Sequence, residues 1–168
     1  MQSKVPVKVF LDLEETIIVN FNDPLITLCN VGKIRDFLQD LEVKEVTIFS
    51  FAIWDAKDLE TFNSEIKPMI ERGLNVKVVA CPTTEEIRKT VLKRLLAHFN
   101  MHDFLSLWGK KRAFIEFVQE VEGEGEFILI DDCVPMMSFK DHTTKQKVHL
   151  INVTHKWDKL HLQRASIS

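Results

Sequence analysis

Four polar residues that could do chemistry follow an apolar run near the start of the chain. The run Val7–Leu11 is rich in β-branched and bulky apolar residues, which predicts a buried β-strand. Asp12, Glu14, Glu15 and Thr16 come directly after it. Crowded carboxylates repel one another unless a cation or a shared proton relieves them, and ligands of parallel sheets bind beyond the carboxyl ends of the strands. The sequence therefore predicts a magnesium site here, with Asp12 as a nucleophile or a metal ligand.

Two other predicted strands also end in polar residues. Ser50 ends one of them, and Asp131 and Asp132 follow the other. Lys110 or Lys111 opens the helix that precedes the acidic pair. A carboxylate can attack phosphorus, magnesium prefers hard oxygen ligands, and a hydroxyl and an ammonium can hold the oxygens of a transferring phosphoryl group. These residue types together indicate phosphoryl transfer.

The elements that must position these residues alternate along the chain. Strands separated by helices predict a three-layer, Rossmann-like α/β fold, with a mostly parallel sheet and helices on both faces. Thr83 and Glu86 predict a capping box at a helix start, and Gly73 predicts a helix C-cap. The segment 102–108 is expected to be a strand or an irregular turn. The predicted strands are 7–11, 45–50, 75–81, 127–130 and 148–153. The predicted helices are 32–41, one from Phe51 to Gly73, 84–100, 110–121 and a short one in the tail from Thr154.

Length and composition fit one ordinary globular domain. The chain has 168 residues, which we interpret as a single domain over 1–168, and a net charge of −3 gives no general attraction to nucleic acid or membrane. No apolar run approaches the roughly 20 residues needed to span a bilayer, and the N-terminus lacks the apolar core of a signal peptide. The three cysteines, which are far apart, are expected to be reduced. We therefore expect a cytoplasmic protein with no membrane partner.

The polar residues resemble the four motifs of the haloacid dehalogenase (HAD) superfamily, in the order of that family. Its first motif, DxDx(T/V), stands here as Asp12-Leu13-Glu14-Glu15-Thr16. Ser50 matches the second motif, Lys110 (or Lys111) the third, and Asp131-Asp132 the fourth. The resemblance covers nearly the whole chain and implies a HAD-like domain that uses Mg²⁺ as its cofactor.

The resemblance also implies a role for each matching residue. Asp12 would be the nucleophile and a magnesium ligand, and Lys110 would neutralise both Asp12 and the phosphate. The remaining implied roles are phosphate binding by Ser50, Phe51 and Lys111, and metal binding by Glu14 (through its main-chain carbonyl), Asp131 and Asp132.

Glu14 departs from the family pattern, which has Asp as the general acid/base at this position. One added methylene moves the carboxyl group by about 1 Å, and such a misplacement can cost about 100-fold in rate. Two readings follow: a phosphatase in which Glu14 is a slow or an adapted acid/base, and a HAD-fold protein that no longer turns over and binds or regulates a partner.

The spacing of the motifs leaves no room for the cap domain that many members of the superfamily carry. The 37 residues from 13 to 49 and the 59 residues from 51 to 109 are used by predicted helices, strands and turns. An open site suits a bulky substrate, such as a phosphorylated protein or a nucleic-acid end. The run Leu11-Asp12-Leu13-Glu14-Glu15-Thr16-Ile17 is similar to the LDLDETL of the uncapped carboxy-terminal-domain phosphatases.

A basic stretch is expected to border the fourth motif, and it has two interpretations. It steers a polyanionic substrate, or it is a solvated loop. Its members are Lys140, His142, Lys145, Lys147 and His149.

Overall fold

A six-stranded sheet forms the centre of the protein, for which a computed structural model describes residues 7–93 and 101–155, the backbone alone for 101–108. The strand order is β3-β2-β1-β4-β6-β5. Every neighbouring pair is parallel except β5 and β6, which are antiparallel. The strands are β1 (Val7–Leu11), β2 (Glu45–Ile48), β3 (Lys77–Ala80), β4 (Gly125–Asp131), β5 (Met137–Asp141) and β6 (Gln146–Asn152).

Helices pack on both faces of this sheet, as the sequence predicts. One core cluster joins buried residues of α1 and α3, such as Ile34 and Ile70, to one face of the strands. The other cluster joins α4 and α5, through residues such as Ile87 and Phe114, to the opposite face. The mostly parallel, Rossmann-like α/β architecture is therefore confirmed. The helices are α1 (Val31–Asp40), α2 (Ala56–Thr61), a π-helical segment (Phe62–Ile66), α3 (Lys67–Leu74), α4 (Thr84–Leu92) and α5 (Met101–Val121).

The register of the three central strands brings their carboxyl ends to one edge of the sheet. Leu11 of β1 pairs with Ile48 of β2 on one side and with Ile130 of β4 on the other. The backbone N–H of Asp12 donates to the Ile130 carbonyl at 3.0 Å, so the chain leaves β1 beside the end of β4. The residues that follow each strand consequently meet at this edge.

Two predictions in the second half of the chain differ from the structure. The segment between Asp132 and the strand predicted at 148–153, for which the sequence predicts no strand, contains β5, whose partial exposure at the sheet edge weakens the apolar alternation that marks a strand. The segment 102–108 belongs to α5 and is helical, because a short apolar run does not distinguish a helix from a strand. Within α5 the backbone breaks at Gly109, where φ is 63°, and helical geometry resumes at Lys110.

Two helix boundaries also differ. The helix expected from Phe51 begins at Ala56, because the Asp55 side chain caps it by accepting the Asp58 N–H at 3.0 Å. Gly73 lies inside α3, where a side chain would approach Leu28 within 3.3 Å, and Asn75 provides the left-handed cap. The capping box of Thr83 and Glu86 is confirmed.

Some expectations fall outside the described residues. These are the end of the helix predicted to reach residue 100 and the helix predicted in the tail, of which only the first two residues, 154 and 155, are described. Among the described helices, none is both long and apolar enough to cross a membrane.

Candidate functional site

Lys110 joins the carboxylates at the ends of two central strands. Its ammonium nitrogen lies 2.8 Å from Asp12 Oδ1 and 3.2 Å from Asp131 Oδ2. All three side chains are largely enclosed, with exposed fractions of 12% for Lys110, 8% for Asp12 and 2% for Asp131. The helical break at Gly109 directly precedes Lys110, so the lysine stands at the start of a helical segment that points it at the strand ends. The structure thus brings together three of the residues that the sequence singles out.

A tight turn after β1 fixes the second oxygen of Asp12. The Leu13 carbonyl accepts hydrogen bonds from the N–H groups of Thr16, Ile17 and Ile18, at 2.9 to 3.1 Å. This turn aims the buried Thr16 hydroxyl at Asp12 Oδ2, to which it donates at 3.0 Å. Lys110 therefore binds one oxygen of Asp12 and Thr16 binds the other, so the carboxylate has a fixed orientation.

An open cleft of about 380 Å³ lies above these residues. Ser50 is on its wall, and the Ser50 hydroxyl oxygen accepts the Ala52 N–H at 3.1 Å, which turns the chain sharply after β2. The Phe51 ring centre is 4.7 Å from the Lys110 nitrogen, a distance at which a cation and an aromatic face attract each other. The lining residues are Asp12, Glu14, Glu15, Val19, Asn20, Ser50, Phe51, Ala52, Lys110 and Asp132.

Glu14 lines the same cleft, and its carboxylate is already engaged on one side. Its Oε2 accepts the backbone N–H of Phe21 at 3.2 Å, from the loop that follows the turn. This contact restrains the Glu14 carboxylate from the side of the loop.

The charges of the cleft do not balance. Among the described residues, the Lys110 ammonium pairs with the Asp12 and Asp131 carboxylates, whereas Asp132 lies beside these two carboxylates and Glu14 and Glu15 also line the cleft. Burial, and then the charges of Asp12 and Asp131, raises the pKa of Asp132 to about 6. Burial and the Asp12 charge likewise raise the pKa of Asp131 against the opposing effect of Lys110. Burial by itself would lower the pKa of Lys110, but the Asp12 and Asp131 carboxylates outweigh it and raise that pKa.

The carboxylates have the chemistry that a divalent cation requires. Asp131 Oδ2 is buried, and the partner that the described residues offer it is the Lys110 ammonium, 3.2 Å away. Among the described residues of the cleft the acidic side chains outnumber the Lys110 ammonium, which leaves excess negative charge for a divalent cation to offset. Hard carboxylate oxygens are the ligands that Mg²⁺ prefers. Asp12, Asp131 and Asp132 therefore fit a magnesium ion.

Other sequence-predicted residues lie away from the cleft. The Lys111 side chain is exposed and does not line it. The basic stretch also lies elsewhere, because the β5–β6 hairpin carries it to the opposite end of the sheet: Asp141 pairs with Gln146, which pairs with Gly125 at the start of β4. His149 is buried rather than basic surface. The expectation that this stretch borders the fourth motif is wrong.

Two residues contribute to the site although the sequence analysis gives neither of them a role. Thr16 orients Asp12, and its place in the first motif is the signal that would have found it. The Phe49 ring centre lies 5.6 Å from the Lys110 nitrogen, and only the position of Phe49 directly before Ser50 hints at this contact.

Comparison of the chain with protein-family models, with curated proteins and with solved structures gives no match. A function for this protein therefore has to be inferred from the geometry and the charges of the cleft.

Proposed function

We propose that the protein is a magnesium-dependent phosphatase of the HAD type that forms an aspartyl phosphate on Asp12. The observation that carries the proposal is the meeting of Asp12, Lys110 and Asp131 around one end of the cleft, with distances of 2.8 and 3.2 Å from the Lys110 nitrogen. A buried carboxylate with a fixed orientation, beside an ammonium and a further carboxylate, is suited to attack phosphorus.

The steps use the residues that line the cleft. An oxygen of Asp12 attacks phosphorus, the bond from phosphorus to the ester oxygen breaks, and Glu14 gives a proton to the departing oxygen. A water molecule then gives a proton to Glu14 and attacks the phosphoryl group, which leaves as inorganic phosphate and regenerates Asp12. Lys110 and the hydroxyl of Ser50 stabilise the charge on the transferring oxygens.

Asp12, Asp131, Asp132 and the main-chain carbonyl of Glu14 would hold the magnesium ion. When bound, Mg²⁺ supplies positive charge that screens the carboxylates from the incoming phosphate and polarises its oxygens.

The open cleft favours a bulky substrate. The described residues between Asp12 and Ser50 form a turn, a short hairpin closed by the bridge between Ile18 and Leu28, and α1. This part of the protein leaves the cleft accessible, in keeping with an uncapped domain. A phosphorylated protein segment or a nucleic-acid end is the substrate class that we propose.

A second candidate function is a HAD-fold binding or regulatory protein without turnover. The hydrogen bond from the Phe21 N–H to Glu14 Oε2 favours it, because this contact restrains a carboxylate that must give and accept a proton. The longer Glu14 side chain is the reason for considering this candidate at all.

Hydrolysis of a generic aryl phosphate by the purified protein tests the phosphatase proposal. Activity that requires Mg²⁺ and disappears in Asp12→Asn supports it, and full activity in that variant contradicts the assignment of the nucleophile.

The variant Glu14→Asp separates the two candidate functions. A protein that is inert with either residue, on phosphoprotein and oligonucleotide substrates as well, supports the binding function. An active wild type and a slower Glu14→Asp variant together identify Glu14 as an adapted acid/base.

A further inference from the structure

A second recess, of about 400 Å³, lies at the opposite end of the sheet from the cleft. Gly125 lines this recess at the start of β4, and Asp131 ends the same seven-residue strand at the cleft. At about 3.3 Å per residue, roughly 20 Å separates the two places, so an anion held in the recess cannot reach Asp12. The titratable side chains that line the recess are Lys140, His142, Lys145, Lys147, Glu124 and Glu126.

The β5–β6 hairpin gathers the lysines of this recess at a cost to its own stability. Lys140 pairs with Lys147 across the two strands, so both side chains leave the same face of the sheet. Directly opposite residues have Cβ atoms about 4.5–5.5 Å apart, and like charges in this arrangement destabilise a sheet. Lys145 lies in the turn with φ at 57°, a left-handed conformation that is uncommon for residues other than glycine.

The carboxylates of the hairpin and of its neighbour β4 are engaged elsewhere. Asp141 accepts hydrogen bonds from two backbone N–H groups of its own turn and from a glutamine of α5. Glu126 Oε1 lies 2.6 Å from His149 Nε2. In the part of the chain that the structure describes, no carboxylate forms an ion pair with Lys140 or Lys145. These two ammonium groups are therefore available to an external anion.

We propose that this recess binds a phosphorylated side chain of a partner protein, with Lys140 and Lys147 holding the phosphate oxygens from two strands. A phosphate monoester carries about −1.5 to −2 charge at pH 7 and has three acceptor oxygens, so one such group offsets both ammonium groups. A carboxylate carries a single charge and offsets only one of them. The lysine ammonium, a compact charge with three donors, suits an anion of this kind.

The composition of the recess favours a protein segment over a nucleic acid. Single-stranded nucleic acids bind where a basic groove also offers aromatic side chains that stack on the bases. Among the described residues, no Phe, Tyr or Trp lines the recess. A long polyanion would also pass the exposed Glu124 carboxylate beside the lysines. One phosphate group between Lys140 and Lys147 meets neither obstacle.

Fluorescence anisotropy of a labelled peptide, with one phosphoserine among neutral residues, tests the proposal on the full-length protein. A chelator is present throughout, so the measurement does not depend on turnover in the cleft and can fail or succeed separately from the proposed function. The wild type should bind the phosphorylated peptide and not its unphosphorylated form. Lys140→Gln and Lys147→Gln should each lower the affinity at least about fivefold. Lys77→Gln, which removes an exposed lysine of β3, is the matched control and should keep it.

Thermal unfolding separates binding from a structural role of Lys140. Because Lys140→Gln removes one of two opposed like charges, the midpoint should rise by about 1–3 °C while the affinity falls. The proposal is overturned if Lys140→Gln keeps the affinity, if Lys77→Gln loses as much, or if the affinity falls together with the thermal midpoint. Equal binding of the unphosphorylated peptide, or tighter binding of a 5′-phosphorylated oligothymidylate, overturns it as well.

Discussion

Lys110 and Asp12, 98 positions apart in the chain, form an ion pair of 2.8 Å at the carboxyl edge of the sheet. The same ammonium lies 3.2 Å from Asp131, so one cation joins the ends of β1 and β4. The Phe49 and Phe51 rings lie 5.6 and 4.7 Å from it and limit where the ammonium can move. This contact joins three separate sequence motifs into one site.

Replacing Lys110 should weaken the fold as well as any catalysis. Lys110→Met leaves Asp12 and Asp131 without their shared ammonium, and removing one partner of a buried ion pair costs about 3–5 kcal/mol. We expect the free energy of unfolding at pH 7, measured with urea, to fall by about 3 kcal/mol in the metal-free variant. Mg²⁺ should restore part of this loss, since it neutralises the same carboxylates.

Lys111→Met is the matched control for that experiment. Lys111 carries the same charge on the next residue, but its side chain is exposed. Its replacement should change the free energy of unfolding by no more than about 0.5 kcal/mol. If both variants lose the same stability, or neither does, the assignment of Lys110 as the buried partner of Asp12 is wrong.

Thr16 should matter through its hydroxyl rather than through its volume. Thr16→Val keeps the shape of the side chain but removes the donor to Asp12 Oδ2, and a buried acceptor left unpaired costs about 1–3 kcal/mol. We expect the rate of phosphate-ester hydrolysis to fall by about tenfold or more, because Asp12 loses part of its fixed orientation. Thr16→Ser, which keeps the hydroxyl, should retain most of the rate; equal losses in both variants would point to packing instead.

The pair of Glu126 and His149, at the other end of β4, should make stability depend on acid pH. Glu126 Oε1 lies 2.6 Å from His149 Nε2, which carries the proton because a carboxylate only accepts. The hydrogen bond from His149 is the main reason that the pKa of Glu126 lies below its ordinary value of 4.5. A lowered carboxyl pKa contributes stability above pH 4.5, and that contribution disappears as the pH falls through the folded-state pKa.

Glu126→Gln should therefore lose stability at neutral pH and show a flatter decline than the wild type as the pH falls below 4.5. Urea unfolding at several pH values in this window measures the effect. Glu124→Gln changes an exposed neighbour and should leave the wild-type pH dependence in place. Parallel curves for the wild type and Glu126→Gln would show that the His149 contact has no energetic weight.

The strand ends could be predicted from sequence because their signals are local. Apolar runs identify β1, β2 and β4, and parallel strands joined by helices must place the residues that follow them at one edge. The convergence of Asp12, Ser50 and Asp131 follows from these rules. The choice between Lys110 and Lys111 does not follow from them. It depends on the helical break at Gly109, and one glycine in an apolar segment is not enough to predict such a break.

Features set by tertiary contacts were harder to predict. The edge strand β5 is recognised by its pairing with β6 rather than by its own composition, and this pairing moves the basic residues away from the cleft. The burial of His149 depends on Ser138 and Glu126, which lie on the two strands flanking β6. No local pattern contains this information.

The most direct test of the central claim is the mass of the chain after an acid quench during turnover of a phosphate ester. The account predicts that the wild type with Mg²⁺ carries one additional phosphoryl group, which maps to the peptide containing Asp12 and is absent from Asp12→Asn and from samples treated with a chelator. Hydrolysis of the substrate with a phosphoryl group found on another residue, or with Asp12→Asn as active as the wild type, would contradict it.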